Sequence, residues 1–287
     1  MNVLKTSKPT LIKQCATAKM ANFFPPIQRN WNDPWVWSVP IFALTAMLIV
    51  YLGGWNQSIF LFFNGFSQFT GDGLWSHLTL LGDTLIPFCL AILWSKSRSD
   101  VVWAMILAAI VATLFVHGIK PLADLPRPAA VLPPESLHII GKVLQRNSFP
   151  SGHTVTIFTF VGVIVLQSRA NLLNSLFILL ACLVGISRCA VGAHWTLDIL
   201  AGMAGGWTAA WLGILGARRW TWGQTHPHWL ATIFSLCIMI LWIYSLNYPH
   251  TFIFQKFLAM LCTVAAIHFW LSVKFKNVEI GLTPIPR

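Results

Sequence analysis

Eight apolar runs, separated by short polar segments, constrain this chain more than any other feature of its sequence. Each run is about 17–22 residues long, and a helix needs about 20 mostly apolar residues to cross the hydrocarbon core of a bilayer. A ninth, aromatic run at 56–72 is too short and too polar to cross and is expected at the interface. The sequence therefore predicts an all-α, polytopic transmembrane helix bundle of about eight spans. The runs lie at residues 35–53, 75–95, 101–119, 152–168, 172–189, 195–215, 227–246 and 252–273.

The composition excludes several classes of protein. Hydrophobic residues make up 56% of the 287 residues and charged residues only 9%, against about 25% charged in an average soluble domain. The mean hydropathy is +0.68, so a soluble globule and a disordered chain are both excluded. The net charge of +11 would suggest nucleic acid as the partner of a soluble protein. Here the basic residues lie between apolar runs, which indicates membrane topology instead, and no nucleic-acid partner is expected.

The distribution of Lys and Arg predicts the orientation of the chain. If the N-terminus is cytoplasmic and the spans alternate, 13 of the 19 basic residues face inward and 6 face outward. This bias favours cytoplasmic N- and C-termini. The expected location is the inner (plasma) membrane of a bacterium. Residues 1–33 are then a basic cytoplasmic tether and 34–216 a transmembrane core. Residues 217–287 add two further helices and a short cytoplasmic tail.

Three polar blocks carry most of the chemistry in the sequence. The first occupies residues 120–128, after the third span; the second, Pro-Ser-Gly-His, occupies 150–153 and opens the fourth; the third occupies 187–198 and joins the fifth to the sixth. Because spans alternate in direction, all three blocks fall on the same, outer side of the membrane. Basic residues on the disfavoured side need another explanation, and an anionic ligand is the simplest one.

The residue types in these blocks are typical of a phosphate-binding site. Lys120, Arg127 and Arg188 offer three cations, and the forked guanidinium of arginine matches phosphate oxygens. Ser151 and Gly152 lie at a predicted helix N-terminus, where free N–H groups and the helix dipole favour an anion. Together the five residues predict a cradle for a phosphate group.

Two histidines and one carboxylate suggest the reaction. His194 and Asp198 are four residues apart, which places them on one face of a helix. A carboxylate on Nδ1 would fix the tautomer and make Nε2 a nucleophile. We expect His194 to attack phosphorus, His153 to protonate the leaving group, and water to release phosphate from a phosphohistidine. No acidic cluster suited to magnesium is evident, so a metal-independent reaction without a cofactor is expected.

The three blocks resemble the signature of the type-2 phosphatidic acid phosphatase superfamily of integral membrane lipid phosphatases. The resemblance covers roughly residues 35–215 and implies a six-helix core with its site at the outer leaflet. It also implies His194 as nucleophile, Asp198 as its orienting partner and His153 as general acid, with the cradle residues binding phosphate. Matching positions are Lys120, Arg127, Pro128, Pro150, Ser151, Gly152, His153, Ser187, Arg188, His194 and Asp198.

The resemblance leaves the lipid open among undecaprenyl diphosphate, phosphatidate, phosphatidylglycerophosphate and lipid A, and undecaprenyl diphosphate or a related lipid is preferred. One alternative is a phosphotransferase that passes the same phosphate to a second lipid. Another is a binder or transporter of anionic lipids without catalysis. The sequence does not give the oligomeric state, nor a role for the two C-terminal helices.

Two further features are ambiguous in sequence. Asp83 lies within the second apolar run, where an ionisable group is costly, and His117 on the third span is one candidate for its partner. The segment 132–140 between the first two blocks is compatible with a small amphipathic lid and equally with a plain connector.

Overall fold

The computed structural model describes residues 29–95 and 97–281. In this part the chain forms ten helices of six residues or more, joined by loops and shorter helical turns. The predicted tether at 1–33 lies almost wholly outside the described residues. The helices are α1 (Pro34–Leu52), α2 (Asn56–Thr70), α3 (Asp72–Leu80), α4 (Leu85–Leu90), α5 (Ser99–Ala123), α6 (Gly152–Leu166), α7 (Asn171–Ala190), α8 (Thr196–Arg219), α9 (Pro227–Ile243) and α10 (Phe252–Gly281).

The predicted class, a polytopic helical membrane bundle, is confirmed, but the eight predicted spans do not all form helices of spanning length. Among the helices of residues 29–95 and 97–281, five are long and apolar enough to cross a membrane: α1, α5, α7, α8 and α10. Helices α6 and α9 are apolar but have 15 and 17 residues, shorter than their predicted runs. At 1.5 Å per residue, α6 is about 22 Å long, against a hydrocarbon core of about 30 Å.

The predicted span 75–95 is wrong as a continuous helix. It consists of α3 and α4, with α4 extended by a 3-10 turn, and the two parts meet at a bend of 59°. Asp83 lies at the bend, where its Oδ1 accepts a hydrogen bond from the backbone N–H of Leu85 at 3.2 Å. A side chain that takes a backbone donor in this way ends one helix and starts another.

Helix α8 lies at the centre of the bundle and packs against α1, α5 and α6. The contact with α6 is close because glycines face it. A Cβ at Gly202 would lie 2.9 Å from the carbonyl oxygen of Ser151, and one at Gly206 would clash with Val155. Small residues of this kind let helix backbones approach within a membrane. The N-terminal ends of α6 and α8 are therefore held side by side.

Two elements outside this central group reach the same end of the bundle. Helix α2 contacts α7, and its buried Asn64 donates to the carbonyl oxygens of His138, Cys189 and Ala190 at 2.7, 3.2 and 3.1 Å. The C-terminal pair α9 and α10 packs against α4 and its 3-10 extension, so the loop joining the pair lies near the bend at Asp83. This loop is important for the site described below.

Candidate active site

A tight turn between α7 and α8 positions His194. Gly192 has a φ of +76°, a conformation that favours glycine. The backbone N–H groups of Ala193 and His194 both donate to the carbonyl oxygen of Arg188, at 3.0 and 3.1 Å. His194 is thereby held beside the last turn of α7 and directly before α8, with 2% of its surface exposed.

Asp198 and His194 meet through helix capping. The spacing of four residues predicted that both side chains lie on one face of a helix. This prediction is wrong in detail, because α8 begins at Thr196 and His194 precedes it. The carboxylate of Asp198 instead folds back toward the start of its helix, where Oδ2 accepts from the backbone N–H of Trp195 at 2.9 Å. The same oxygen lies 3.2 Å from His194 Nδ1 and accepts from the hydroxyl of Ser148. These bonds fix one orientation of the carboxylate and of the imidazole.

Fixing Nδ1 leaves Nε2 of His194 as the reactive nitrogen. Arg127 Nη1 lies 3.1 Å from it, so a phosphate held by this guanidinium would lie against the lone pair. Burial, together with the charges of Arg127, Arg188 and Lys120, lowers the pKa of His194 well below its usual 6.5. The imidazole is therefore neutral near pH 7, as a nucleophile must be.

Arg127 and Lys120 are held by backbone carbonyl oxygens of neighbouring loops. Arg127 donates to the oxygens of Ala193, Arg146 and Asn147 at 2.9, 2.8 and 3.2 Å. Lys120 Nζ donates to the oxygen of Asn147 at 2.7 Å, so both cations share one carbonyl. Burial and the nearby charge of Arg188 lower the pKa of Arg127 to about 10, which still leaves it charged at neutral pH.

Arg188 is the most deeply placed cation of the site. Only 4% of its surface is exposed, and its Nη1 donates to the hydroxyl of Thr79, a contact that the sequence argument missed. Its Nε is buried and has no hydrogen-bond partner among the described residues. A buried guanidinium N–H without an acceptor is costly, so this group is suited to an anionic ligand.

The N-terminus of α6 contributes backbone donors. Ser151 is fully buried, and its backbone N–H donates to the carbonyl oxygen of Asp198 at 3.0 Å, which ties this terminus to α8. Its side chain makes no capping bond to the helix and accepts from the hydroxyl of Thr154 at 3.0 Å instead. The first N–H groups of the helix, beginning at Gly152, are thus not capped by Ser151, as an anion site requires.

His153 follows on the first turn of α6. Its Nε2 lies 2.5 Å from the hydroxyl oxygen of Tyr248, in the loop between α9 and α10. The same hydroxyl lies 3.5 Å from Asp83 Oδ2. The partner of Asp83 is therefore Tyr248 and not His117, the candidate from the sequence. Tyr248 lies 95 residues from His153 and outside every motif, and no pattern in the sequence pointed to it. Ser148, two residues before Pro150, was also missed.

The loop before α6 packs as a fixed connector. The backbone N–H of His138 donates to Asn64 Oδ1 at 2.9 Å, and its ring Nε2 lies 2.8 Å from Asp72 Oδ1. The backbone N–H of Ile140 donates to the oxygen of Val191 at 3.2 Å. Of the two interpretations of segment 132–140, these contacts favour the connector.

An apolar groove leads away from the site. It has a volume of about 260 Å³ and lies between α4, α5 and α6, with Lys120, Gly152 and His153 at one end. The rest of the groove is lined mainly by apolar side chains, including Pro87, Phe88, Met105, Ala112, Val116 and Phe160.

Within the described ranges, no group of three or more His, Cys, Asp or Glu side chains is arranged to hold a metal ion.

Comparison with known proteins agrees with this geometry. Residues 101–222 match the family model described as the PAP2 superfamily. This matched segment is called the PAP2 region below. The resemblance drawn from the motifs is thereby confirmed, and the PAP2 region contains all eight predicted site residues.

Relatives and a solved structure show similarity over part of the chain. The bacitracin transport permease protein BcrC of Bacillus licheniformis is 33% identical over 50% of this chain and 64% of its own length. The lipid A 1-phosphatase of Rhizobium etli is 39% identical over 25% of this chain and 31% of its own. The crystal structure of Aquifex aeolicus LpxE has a TM-score of 0.49 and 27% identity, covering 55% of this chain and 94% of that one.

Proposed function

We propose that this multi-pass membrane protein is a phosphatase that hydrolyses a phosphate or diphosphate group of a lipid through a phosphohistidine. One observation carries the proposal. His194 is buried, its Nδ1 is held by Asp198 at 3.2 Å, and its Nε2 lies 3.1 Å from the guanidinium of Arg127. An oriented, neutral imidazole beside a cation cluster is the arrangement that nucleophilic attack on a phosphate needs.

In the first step, Nε2 of His194 attacks phosphorus and the bond to the leaving oxygen breaks. His153 gives that oxygen a proton, and Asp198 stabilises the positive charge that develops on the attacking imidazole. The negative charge on the phosphoryl oxygens is stabilised by the guanidinium groups of Arg127 and Arg188, by Lys120, and by the N–H groups at the start of α6.

In the second step, water attacks the phosphorus of the phosphohistidine. His153, now neutral, accepts a proton from the water, and the N–P bond breaks. The electron pair of the N–P bond returns to Nε2 of His194, and inorganic phosphate leaves. Both steps use the same cations, because the phosphoryl oxygens hold their places while the groups on either side of phosphorus exchange.

The apolar groove supports a lipid substrate. His153 protonates the leaving oxygen, so the group attached to that oxygen lies on the His153 side of phosphorus. The groove begins at His153 and Gly152 and continues between apolar side chains of α4, α5 and α6. A leaving group with a hydrocarbon tail would bury that tail here. The similarity to a protein named lipid A 1-phosphatase also supports a lipid phosphate.

The charge distribution supports an extracytoplasmic site in a bacterial inner membrane. The site lies at the C-terminal ends of α5 and α7 and the N-terminal ends of α6 and α8. With 13 of 19 basic residues on the other side, the positive-inside bias assigns the site to the outer side and both termini to the cytoplasm.

Transport is the second candidate, favoured by the name of the relative described as a bacitracin transport permease. A transporter or binder needs the cations of the cradle but has no use for the bonds that fix Asp198 on Nδ1 of His194. Lipid-to-lipid phosphotransfer would use the same residues as hydrolysis and differs only in the acceptor.

A phosphate-release assay on purified protein separates these functions. The panel contains undecaprenyl diphosphate, phosphatidate, phosphatidylglycerophosphate and lipid A, each with and without EDTA. We expect free phosphate from at least one lipid, at an equal rate with EDTA. Release that needs a second lipid would identify a phosphotransferase, and no release under any condition would leave binding or transport. Loss of activity with EDTA would contradict the metal-independent mechanism.

Filling the groove should impair long-chain substrates selectively. Thr113 is exposed and lines the groove on α5, whereas the adjacent Leu114 is 69% exposed and does not line it. We expect Thr113→Trp to lower kcat/KM for a long-chain lipid phosphate by about 10-fold, since overpacking costs about 1–3 kcal/mol. Leu114→Trp is the matched control and should behave as wild type. Equal losses on a short, water-soluble phosphate would show that the groove does not hold the tail.

A further inference from the structure

Tyr248 connects the C-terminal helix pair to the site. It lies in the loop between α9 and α10, outside the PAP2 region. Its hydroxyl oxygen is 2.5 Å from His153 Nε2 and 3.5 Å from Asp83 Oδ2, and its ring meets the imidazole edge-on at 82° with centroids 6.0 Å apart. A hydrogen-bonded chain therefore runs from a carboxylate at the bend between α3 and α4, through Tyr248, to His153.

The loop that carries Tyr248 is held firmly in place. Gln255 of α10 is 1% exposed. Its Nε2 donates to the carbonyl oxygen of Tyr244 at 2.6 Å, and its Oε1 accepts from the N–H of Leu246 at 3.1 Å. The hydroxyl of Thr251 donates to the carbonyl oxygen of Tyr248 itself at 2.8 Å. The buried amide of Gln255 thus holds the backbone before Tyr248, and Thr251 holds the carbonyl group of Tyr248 itself.

The contact decides which nitrogen of His153 is available for chemistry. An imidazole has two ring nitrogens, and Nε2 faces Tyr248. When His153 is protonated, Nε2–H donates to the tyrosine oxygen, and the tyrosine O–H donates to the carboxylate of Asp83. Nδ1–H then remains as the proton that can pass to the leaving oxygen. Burial raises the pKa of Tyr248 to about 12, so its hydroxyl stays protonated throughout.

The hydrogen-bonded chain from Asp83 to His153 has a second effect, which is on the charge of the imidazole. Burial opposes a positive charge on this imidazole most strongly, and the charges of Arg188, His194 when protonated, Arg127 and Lys120 add to that effect. Tyr248 and Asp83 face it from the other side. The Asp83 carboxylate supplies negative charge, and the tyrosine hydroxyl transmits it through two hydrogen bonds.

We propose that Tyr248 is a positioning residue for His153, which it holds in the orientation and protonation state of a general acid, and that this is the role of the C-terminal helix pair. The inference rests on the proposed phosphatase function. A residue with this role acts on protonation of the leaving group and leaves phosphate binding to the cations. Its removal therefore affects kcat much more than KM, and it slows the first step only for leaving groups that need a proton.

Tyr248→Phe tests this role because it removes the hydroxyl and keeps the ring. General acid catalysis contributes about 10²–10⁴-fold, and we expect loss of its orientation to lower kcat for a lipid phosphate by about 10- to 100-fold. KM should change by less than about twofold, since the phosphate ligands remain. The basic limb of the kcat profile should move to lower pH, because His153 then loses its link to Asp83. The burst of p-nitrophenol from p-nitrophenyl phosphate, which reports the first step alone, should keep a rate within about twofold of wild type, because this leaving group needs no proton.

The matched control is Tyr244→Phe, at the end of the same loop with 65% of its surface exposed, which should match wild type in every measurement. Tyr248→Phe with wild-type kcat and pH profile, or with equal losses in the first step on both substrates, overturns the inference and leaves the phosphatase function intact. A wild-type protein that releases no phosphate from any substrate overturns the proposed function, and this inference with it. Combining Asp83→Asn with Tyr248→Phe should add little to the loss, because both act through one chain.

Discussion

Replacing His194 by alanine is expected to lower phosphate release by about four orders of magnitude or more, because no other group in the mechanism can form the covalent bond to phosphorus. Asp198→Asn should cost less, about 10²–10⁴-fold, since the nucleophile remains but loses its preferred tautomer. The assay is initial-rate phosphate release from the best lipid of the panel. Circular dichroism should show the helical content of both variants unchanged.

The same experiment can trap the intermediate. The wild-type protein is allowed to react with a substrate labelled in its terminal phosphate, and the reaction is quenched rapidly. An acid-labile, base-stable label should then be found on the protein. It should be absent from His194→Ala. The control is His228→Ala, an exposed histidine at the start of α9, which should keep both activity and label. Activity above about a tenth of wild type in His194→Ala would mean that another residue, or water directly, attacks phosphorus.

Replacing Arg188 by lysine should have the second largest effect, although the charge is kept. Lysine removes the forked donor set, including the buried Nε that has no partner in the described part of the chain, and deprives Thr79 of its donor. A hydrogen bond to a charged group contributes about 1.5–3 kcal/mol, so losing two corresponds to about 10²–10⁴-fold in kcat/KM. Inhibition by vanadate, a phosphate analogue, should weaken in parallel.

Arg98→Lys controls for the change of residue type. Arg98 also makes a forked contact, with both oxygens of Asp100 at 2.9 Å, but it lies at the opposite end of α5 from the site. Its replacement should leave kcat/KM and vanadate inhibition unchanged. If Arg188→Lys retained wild-type affinity for vanadate, the unpartnered Nε would not be a phosphate ligand, and the cradle would consist of Arg127, Lys120 and the α6 terminus.

The candidate site was predictable in composition but not in the way its residues meet. Helix parity alone placed the three motifs on one side, and the structure brings their side chains together. The reason given for the pairing of His194 with Asp198 was wrong: periodicity assumes a continuous helix through both, whereas α8 begins between them. Capping depends on where a helix starts, which a regular spacing does not reveal.

The broken helix shows a similar limit. The hydropathy averaged over residues 75–95 correctly identifies an apolar segment. An average of this kind does not reveal a bend within the segment. At the bend lies Asp83, which accepts a backbone N–H and faces a tyrosine 165 residues later in the chain. A polar residue in an apolar run indicates that a partner exists; only packing identifies the partner.

By itself, the sequence determined the membrane-embedded helical class, and it predicted that the motifs gather on one side, with residue types that would bind and attack a phosphate. It could do so because lipid leaves the backbone no alternative to helices, and because the chemistry depends on a few functional groups. Only the tertiary structure decided that Ser148 and Trp195 fix the carboxylate of Asp198, that Arg188 keeps a buried donor free, and that the last helix pair brings Tyr248 to His153. These are contacts between distant segments, and they depend on how the helices pack rather than on any local pattern.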